Sequence, residues 1–152
     1  MTNQKRFVLY TDGACLGNPG PGGWAYILMS DGEEVEGSGG DSDTTNQRME
    51  VTAVLKALEQ LESPSIVEIW SDSKYVTDGI NEWMDGWVAK GWKNSKKKPV
   101  ANQDLWKPIA KLRETHTLTT NWLKGHDGHP ENERCDELAS REAKLIQESQ
   151  EG

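Results

Sequence analysis

Four carboxylates stand where the surrounding pattern gives an acid an unusual place. Asp12 closes the alternating run FVLYTD and is followed at once by Gly13, and Asp72 closes the apolar run IVEIWSD. Both runs read as strands. In open sheets built with helices, ligand sites gather at strand ends, so the two acids point to a shared site. Asp72 is also well suited to cap a helix that starts at Ser73. Glu50 precedes Ala53, Val54 and Ala57 by three, four and seven residues, so it shares the helix face that must pack on the sheet. A carboxylate at the end of an apolar stripe is costly unless a cation or donor satisfies it. Asp136 falls early in a C-terminal helix, where the macrodipole favours acids whatever their role. Together the four suggest a cluster assembled from two strands and two helices. Oxygen-only ligands suit Mg²⁺ or Mn²⁺ rather than zinc and leave positions for water and phosphate. Two such ions about 4 Å apart can activate a water and stabilise the leaving oxygen of a phosphodiester.

The overall charge argues against a polyanionic partner. Seventeen basic and 25 acidic residues give a formal charge of -8 over 152 residues. The charge is uneven, however. Lys90, Lys93, Lys96, Lys97 and Lys98 follow one another without an intervening acid, interleaved with Trp83, Trp87 and Trp92. Ammonium groups beside aromatic faces are what a sugar–phosphate backbone can use. The alternative is a solvated lysine face over tryptophans that share a buried side of a helical subdomain.

The elements that must position these groups follow from periodicity. Residues 6–12, 23–30 and 33–41 read as strands, the first two joined by the Gly- and Pro-rich GACLGNPGPGG. A helical stripe runs over 46–61, with Thr44 and Gln47 forming a capping box. A short strand over 66–71 leads to helices at 73–80 and 82–90, split near Gly79, and a longer one at 102–114. A fifth strand at 117–123 and a helix at 130–148 opened by Pro130 complete the chain. Hairpins followed by strand–helix alternation imply a mixed sheet with helices packed on it. No apolar run reaches the roughly 20 residues of a membrane helix, and two cysteines, Cys15 and Cys135, point to a reducing, cytoplasmic setting.

Five segments in order carry a resemblance: YTDGACLGNPGPGGW, TTNQRME, SDSKYV, GWKNSKKKPVANQDLW and KGHDGHPENERCDELA. With all four acids in register, from about Phe7 to Ala143, the chain resembles bacterial ribonuclease H type 1. The resemblance implies an α/β ribonuclease H fold: a five-stranded mixed sheet flanked by helices, with a basic helical handle at about 82–101. It implies one domain over 1–152, with 147–152 as a flexible tail. It makes Asp12, Glu50, Asp72 and Asp136 ligands of two Mg²⁺ ions, Mn²⁺ being a substitute. The implied reaction is endonucleolytic hydrolysis of the RNA strand of an RNA–DNA hybrid, leaving 5′-phosphate and 3′-hydroxyl ends. His126 matches the family's mobile catalytic histidine, and imidazole titrates near neutrality, as that role needs. His129 reads as a loop residue beside Pro130 and His116 as a surface one.

The same resemblance assigns substrate contacts. Asn18, Asn46 and Gln47 match residues that read 2′-hydroxyls, which amides suit because they both donate and accept. Thr45 and Asn102 match a pocket for a phosphate of the DNA strand, Tyr75 and Trp83 the aromatic pair of the DNA channel, and Lys90 to Lys98 the handle. Relatives often place an arginine beside the pocket threonine where this chain has Asp43. Asp85, Val88 and Ala89 also make the handle less basic than it can be in relatives. Both departures bear on affinity and leave the chemistry untouched. The expected partner is an RNA–DNA hybrid, met by a monomer with no membrane association. Two rival readings are a catalytically weak hybrid-binding module and another metal-dependent nuclease on the same fold, such as an integrase or junction resolvase.

Overall fold

A computed structural model describes residues 4–124 and 129–151. The elements in chain order are β1 (Lys5–Cys15), β2 (Gly20–Ser30), β3 (Glu33–Thr44), α1 (Asn46–Leu58), β4 (Ser65–Ser71), α2 (Lys74–Asp78), a π-helical turn (Gly79–Trp83), α3 (Met84–Ala89), α4 (Gln103–Thr115), β5 (Thr117–Trp122) and α5 (Pro130–Glu151). The strands form one sheet in the order β3-β2-β1-β4-β5. β1, β2 and β3 form an antiparallel meander, whereas β4 and β5 join in parallel through helical crossovers.

Strand alternation divides the apolar side chains between two faces. Leu9, Leu28, Val67 and Ile69 point to the face covered by α1 and α4, where Val54, Leu58, Trp106 and Ile109 meet them. Tyr10, Ala25 and Ile27 point to the other face, covered by Cys135 and Ala139 of α5. Each large apolar side chain fully buried here contributes about 1.5–3 kcal/mol relative to exposure. Burial also pushes the Cys135 thiol well above its ordinary pKa, so it packs as a small apolar group.

Two glycines set how closely the helices approach. A Cβ on Gly13 would run into the backbone of Met49 and Glu50, and one on Gly23 would collide with the Ala139 carbonyl. The first lets α1 lie against the end of β1, and the second lets α5 lie against β2.

Several elements differ from expectation. The capping residue of α1 is Thr45 rather than Thr44: its side chain accepts from the Arg48 amide at 3.2 Å. Thr44 instead ends β3. The helices expected to split near Gly79 run through a π-helical turn, whose first residue, Gly79, seats directly on the Trp106 ring. His116 is not a surface residue. It is 5% exposed, its Nδ1 accepts from the Ser65 amide at 3.1 Å, and burial lowers its pKa. Residues 147–151 continue α5, with Gln150 donating to the Ser42 carbonyl at 3.1 Å.

Candidate active site and nucleic-acid interface

The glycine at position 13 explains the first pairing of acids. With no side chain there, α1 brings Glu50 beside Asp12, which does not close β1 but lies three residues inside it, opposite Ala25 and just past the last pair with β4. Parallel pairing of β1 with β4, through Tyr10 opposite Trp70, sets Asp72 just past the neighbouring strand end. Asp136 lies one helical turn before Ala139, which seats on Gly23, so the same close approach brings it to the cluster.

Electrostatics report the convergence. Asp12 is 6% exposed and its pKa is pushed up to about 8. Desolvation is the largest cause, followed by repulsion from Asp72; Asp136 and Glu50 add to it, while the Gly13 amide, donating at 2.9 Å, opposes it. Burial likewise raises the Glu50 pKa, against a hydrogen bond from Ser73 Oγ to its carboxylate. Ser73 also caps α2, accepting from the Val76 amide at 3.3 Å. Capping therefore falls to Ser73, not to Asp72. Among the described residues, no three acids, histidines or cysteines already form a metal cage. The fit to a cation rests on charge: a divalent ion would offset the repulsion that three acids impose on Asp12.

Around the cluster the other expected residues fall into three groups. Asn18, Asn46 and Gln47 are exposed together near the β1–β2 turn, where Asn18 Oδ1 accepts from the Asn46 amide at 3.1 Å. Thr45, Asn102 and Tyr75 belong to one polar network. Asn102, in a left-handed conformation at φ 61°, donates to the Tyr75 hydroxyl at 3.0 Å. The Trp106 indole donates to that hydroxyl at 3.1 Å, and the Trp83 ring lies 6.0 Å from Tyr75 between centroids.

The third group is the handle. Lys90, Lys93, Lys96, Lys97 and Lys98 are all exposed. The loop carrying the last three is tied by Asn94, whose side chain accepts from the amides of Lys96 and Lys98 at 2.9 and 3.1 Å. The tryptophans divide. Trp87 and Trp92 pack on the core, Trp87 lying 5.4 Å from Trp106, whereas Trp83 is 38% exposed. His126 lies outside the described residues. His129 precedes α5 and is anchored by the Tyr10 hydroxyl at 3.2 Å and by the Trp70 ring at 5.3 Å.

Arg48 is a pocket residue that the sequence pattern does not single out. Asp43 is exposed, yet a guanidinium still reaches the Thr45–Asn102 pocket, from α1. Arg48 donates to Asn102 Oδ1 at 3.1 Å and pairs with Asp104 at 2.7 Å. Its place three residues after the capping threonine was the available signal.

A mixed five-stranded sheet with acids gathered about its two central strands defines a class of folds, and comparison with known proteins narrows it. Residues 4–144 match the RNase H family model, and the chain belongs to that family of enzymes. It is 54% identical over 137 residues to the ribonuclease H of Cupriavidus metallidurans, covering 90% of this chain and 94% of that protein. Among solved structures it resembles LC9-RNase H1, a type 1 RNase H with the type 2 active-site motif. The TM-score is 0.84 at 28% identity, over 96% of this chain and 75% of that one. LC11-RNase H1 in complex with an RNA/DNA hybrid is also similar, with a TM-score of 0.70 at 25% identity over 91% and 97%.

Proposed function

We propose that the chain cuts the RNA strand of RNA–DNA hybrids internally, leaving 5′-phosphate and 3′-hydroxyl ends. The observation that carries this reading is the buried Asp12 carboxylate held among Asp72, Asp136 and Glu50 at the end of the sheet. These four would hold two Mg²⁺ ions, or Mn²⁺ in their place. The chemistry such ions supply when bound is activation of a water and stabilisation of the leaving oxygen. Asn18, Asn46 and Gln47 recognise ribose hydroxyls, and Thr45 and Asn102, with Arg48 beside them, hold a phosphate of the DNA strand. Tyr75 and Trp83 line the path of that strand, and Lys90, Lys93, Lys96, Lys97 and Lys98 grip its backbone. His126 assists proton transfer or product release. The unit works as a cytoplasmic monomer; among the described residues, no helix is long and apolar enough to cross a membrane.

The relatives and the intact set of acids favour this reading over a binding module or another nuclease on the same fold. Labelled hybrid, duplex RNA and duplex DNA, each incubated with the protein with and without Mg²⁺, form the test. The expected outcome is cleavage of the hybrid alone, only with the ion, at ribonucleotides. Comparable cutting of duplex RNA would refute it.

A further inference from the structure

On the β5 flank of the acid cluster, Trp122 closes the edge strand with 44% of its surface exposed. The ring is fixed in place: its Nε1 donates to the Asp72 carbonyl at 3.1 Å. On its face rests the Lys74 ammonium, 4.4 Å from the ring centroid. Lys74 follows Ser73, whose hydroxyl both caps α2 and donates to Glu50, so the backbone that carries the lysine is tied to an acid of the cluster. An exposed lysine ordinarily samples many rotamers; this one rests on a platform that is itself tethered to the main chain of Asp72.

We infer that Lys74, steadied on the Trp122 ring, binds a phosphate of the RNA strand beside the acid cluster. This rests on the hybrid-cleaving reading above. Strand order supplies the geometry. The acids of β1 and β4 lie mid-sheet, Asn18 and Asn46 lie toward β2 and β3, and the Lys74–Trp122 pair lies beyond β4. A strand laid over the acids is met by amides on one side and an ammonium on the other. A polyanion approaching four carboxylates is repelled, and a fixed cation on the flank offsets that repulsion at short range. Tyr75, the next residue, turns instead toward Trp83 and Trp106. The start of α2 thus presents one side chain to each strand of the duplex.

The test measures hybrid affinity against salt in an Asp12→Asn background with Mg²⁺. One phosphate contact is worth roughly 8-fold near 0.1 M salt, so K74Q should weaken binding about 3- to 10-fold and make the log–log salt slope shallower by roughly 0.7–0.9. K74R should restore both. Adding W122L to K74Q should cost little more, because the ring acts through the lysine. K144Q, at an exposed lysine of α5, should change neither quantity. Hybrids carrying one neutral methylphosphonate in the RNA strand locate the contact: one position should weaken binding in the parent and have no effect in K74Q. Unchanged affinity and slope in K74Q, or an identical methylphosphonate profile, would overturn the inference. Failure of the wild-type chain to cut hybrid would sink the functional reading instead, and the binding profile would still decide the lysine.

Discussion

The acid cluster and the lysine handle are built on opposite principles. At the cluster, like charges are buried against one another, and Asp12 is pushed up to about 8 as a result. At the handle, like charges stand in water on a loop pinned by Asn94, over tryptophans that fill the core beneath. Buried repulsion costs stability and concentrates field where a reaction can use it. Solvated repulsion costs little and spreads attraction over a surface. Under the proposed function the first arrangement would act on the barrier and the second on encounter and affinity, so substitutions in the two regions should separate kcat from KM.

The largest effect tests that division at the cluster. Asp12→Asn should lower cleavage by about 10³-fold or more, since several kcal/mol of charge stabilisation is at stake, yet leave hybrid binding in place. It should also stabilise the metal-free protein. With the folded pKa above the unfolded one, Asp12's contribution is most favourable below pH 4 and is lost as pH rises through about 8. Melting in chelator at pH 8 should show a gain of about 1–3 kcal/mol in the variant, shrinking toward pH 4. A loss at pH 8 would mean that the cluster is not strained.

At the handle the expected pattern is the reverse. Replacing Lys96, Lys97 and Lys98 with Gln should raise KM and leave kcat nearly unchanged, as uniform binding energy remote from the chemistry requires. Each lost phosphate contact should make the salt slope shallower by roughly 0.7–0.9. Steady-state kinetics over a salt series decide it. An unchanged KM and slope would reduce the lysines to a solvated face.

The smallest catalytic effect belongs to His116, away from both regions. His116→Phe strands the Ser65 amide and should cost about 1–3 kcal/mol of stability while leaving kcat within twofold. Because its folded pKa is depressed, its contribution is present above about 6.5 and lost as pH falls below that. The variant's stability should therefore depend less on acid than the wild type's, which denaturant titrations at pH 5 and 7 would reveal. A large fall in kcat would mean the site reaches further than the acid cluster.

What could be read from sequence divides along the same line between local and distant causes. The strands, the apolar stripe of α1 and the odd placement of Asp12 and Glu50 are local patterns, and the fold keeps them. The sequence pattern points to Asp72 as the cap of α2, whereas the helix begins one residue later and Ser73 accepts from the Val76 amide, a shift that the sequence does not announce. Nothing near His116 in sequence announces Ser65, and the partners of Arg48, Asn102 and Asp104, lie far along the chain, so neither burial nor pocket membership is a local pattern. The seat of Gly79 is likewise supplied by Trp106, which comes later in sequence.

The seating of α5 on Gly23 has a consequence for cooperativity. A small single domain folds and unfolds as one unit, and α5 supplies Cys135 and Ala139 to one face of the sheet while Gly23 receives its backbone. Asp136 lies on that helix between the two, so α5 cannot leave the sheet without taking an acid from the cluster. Loss of packing on that face and loss of the site are therefore a single event.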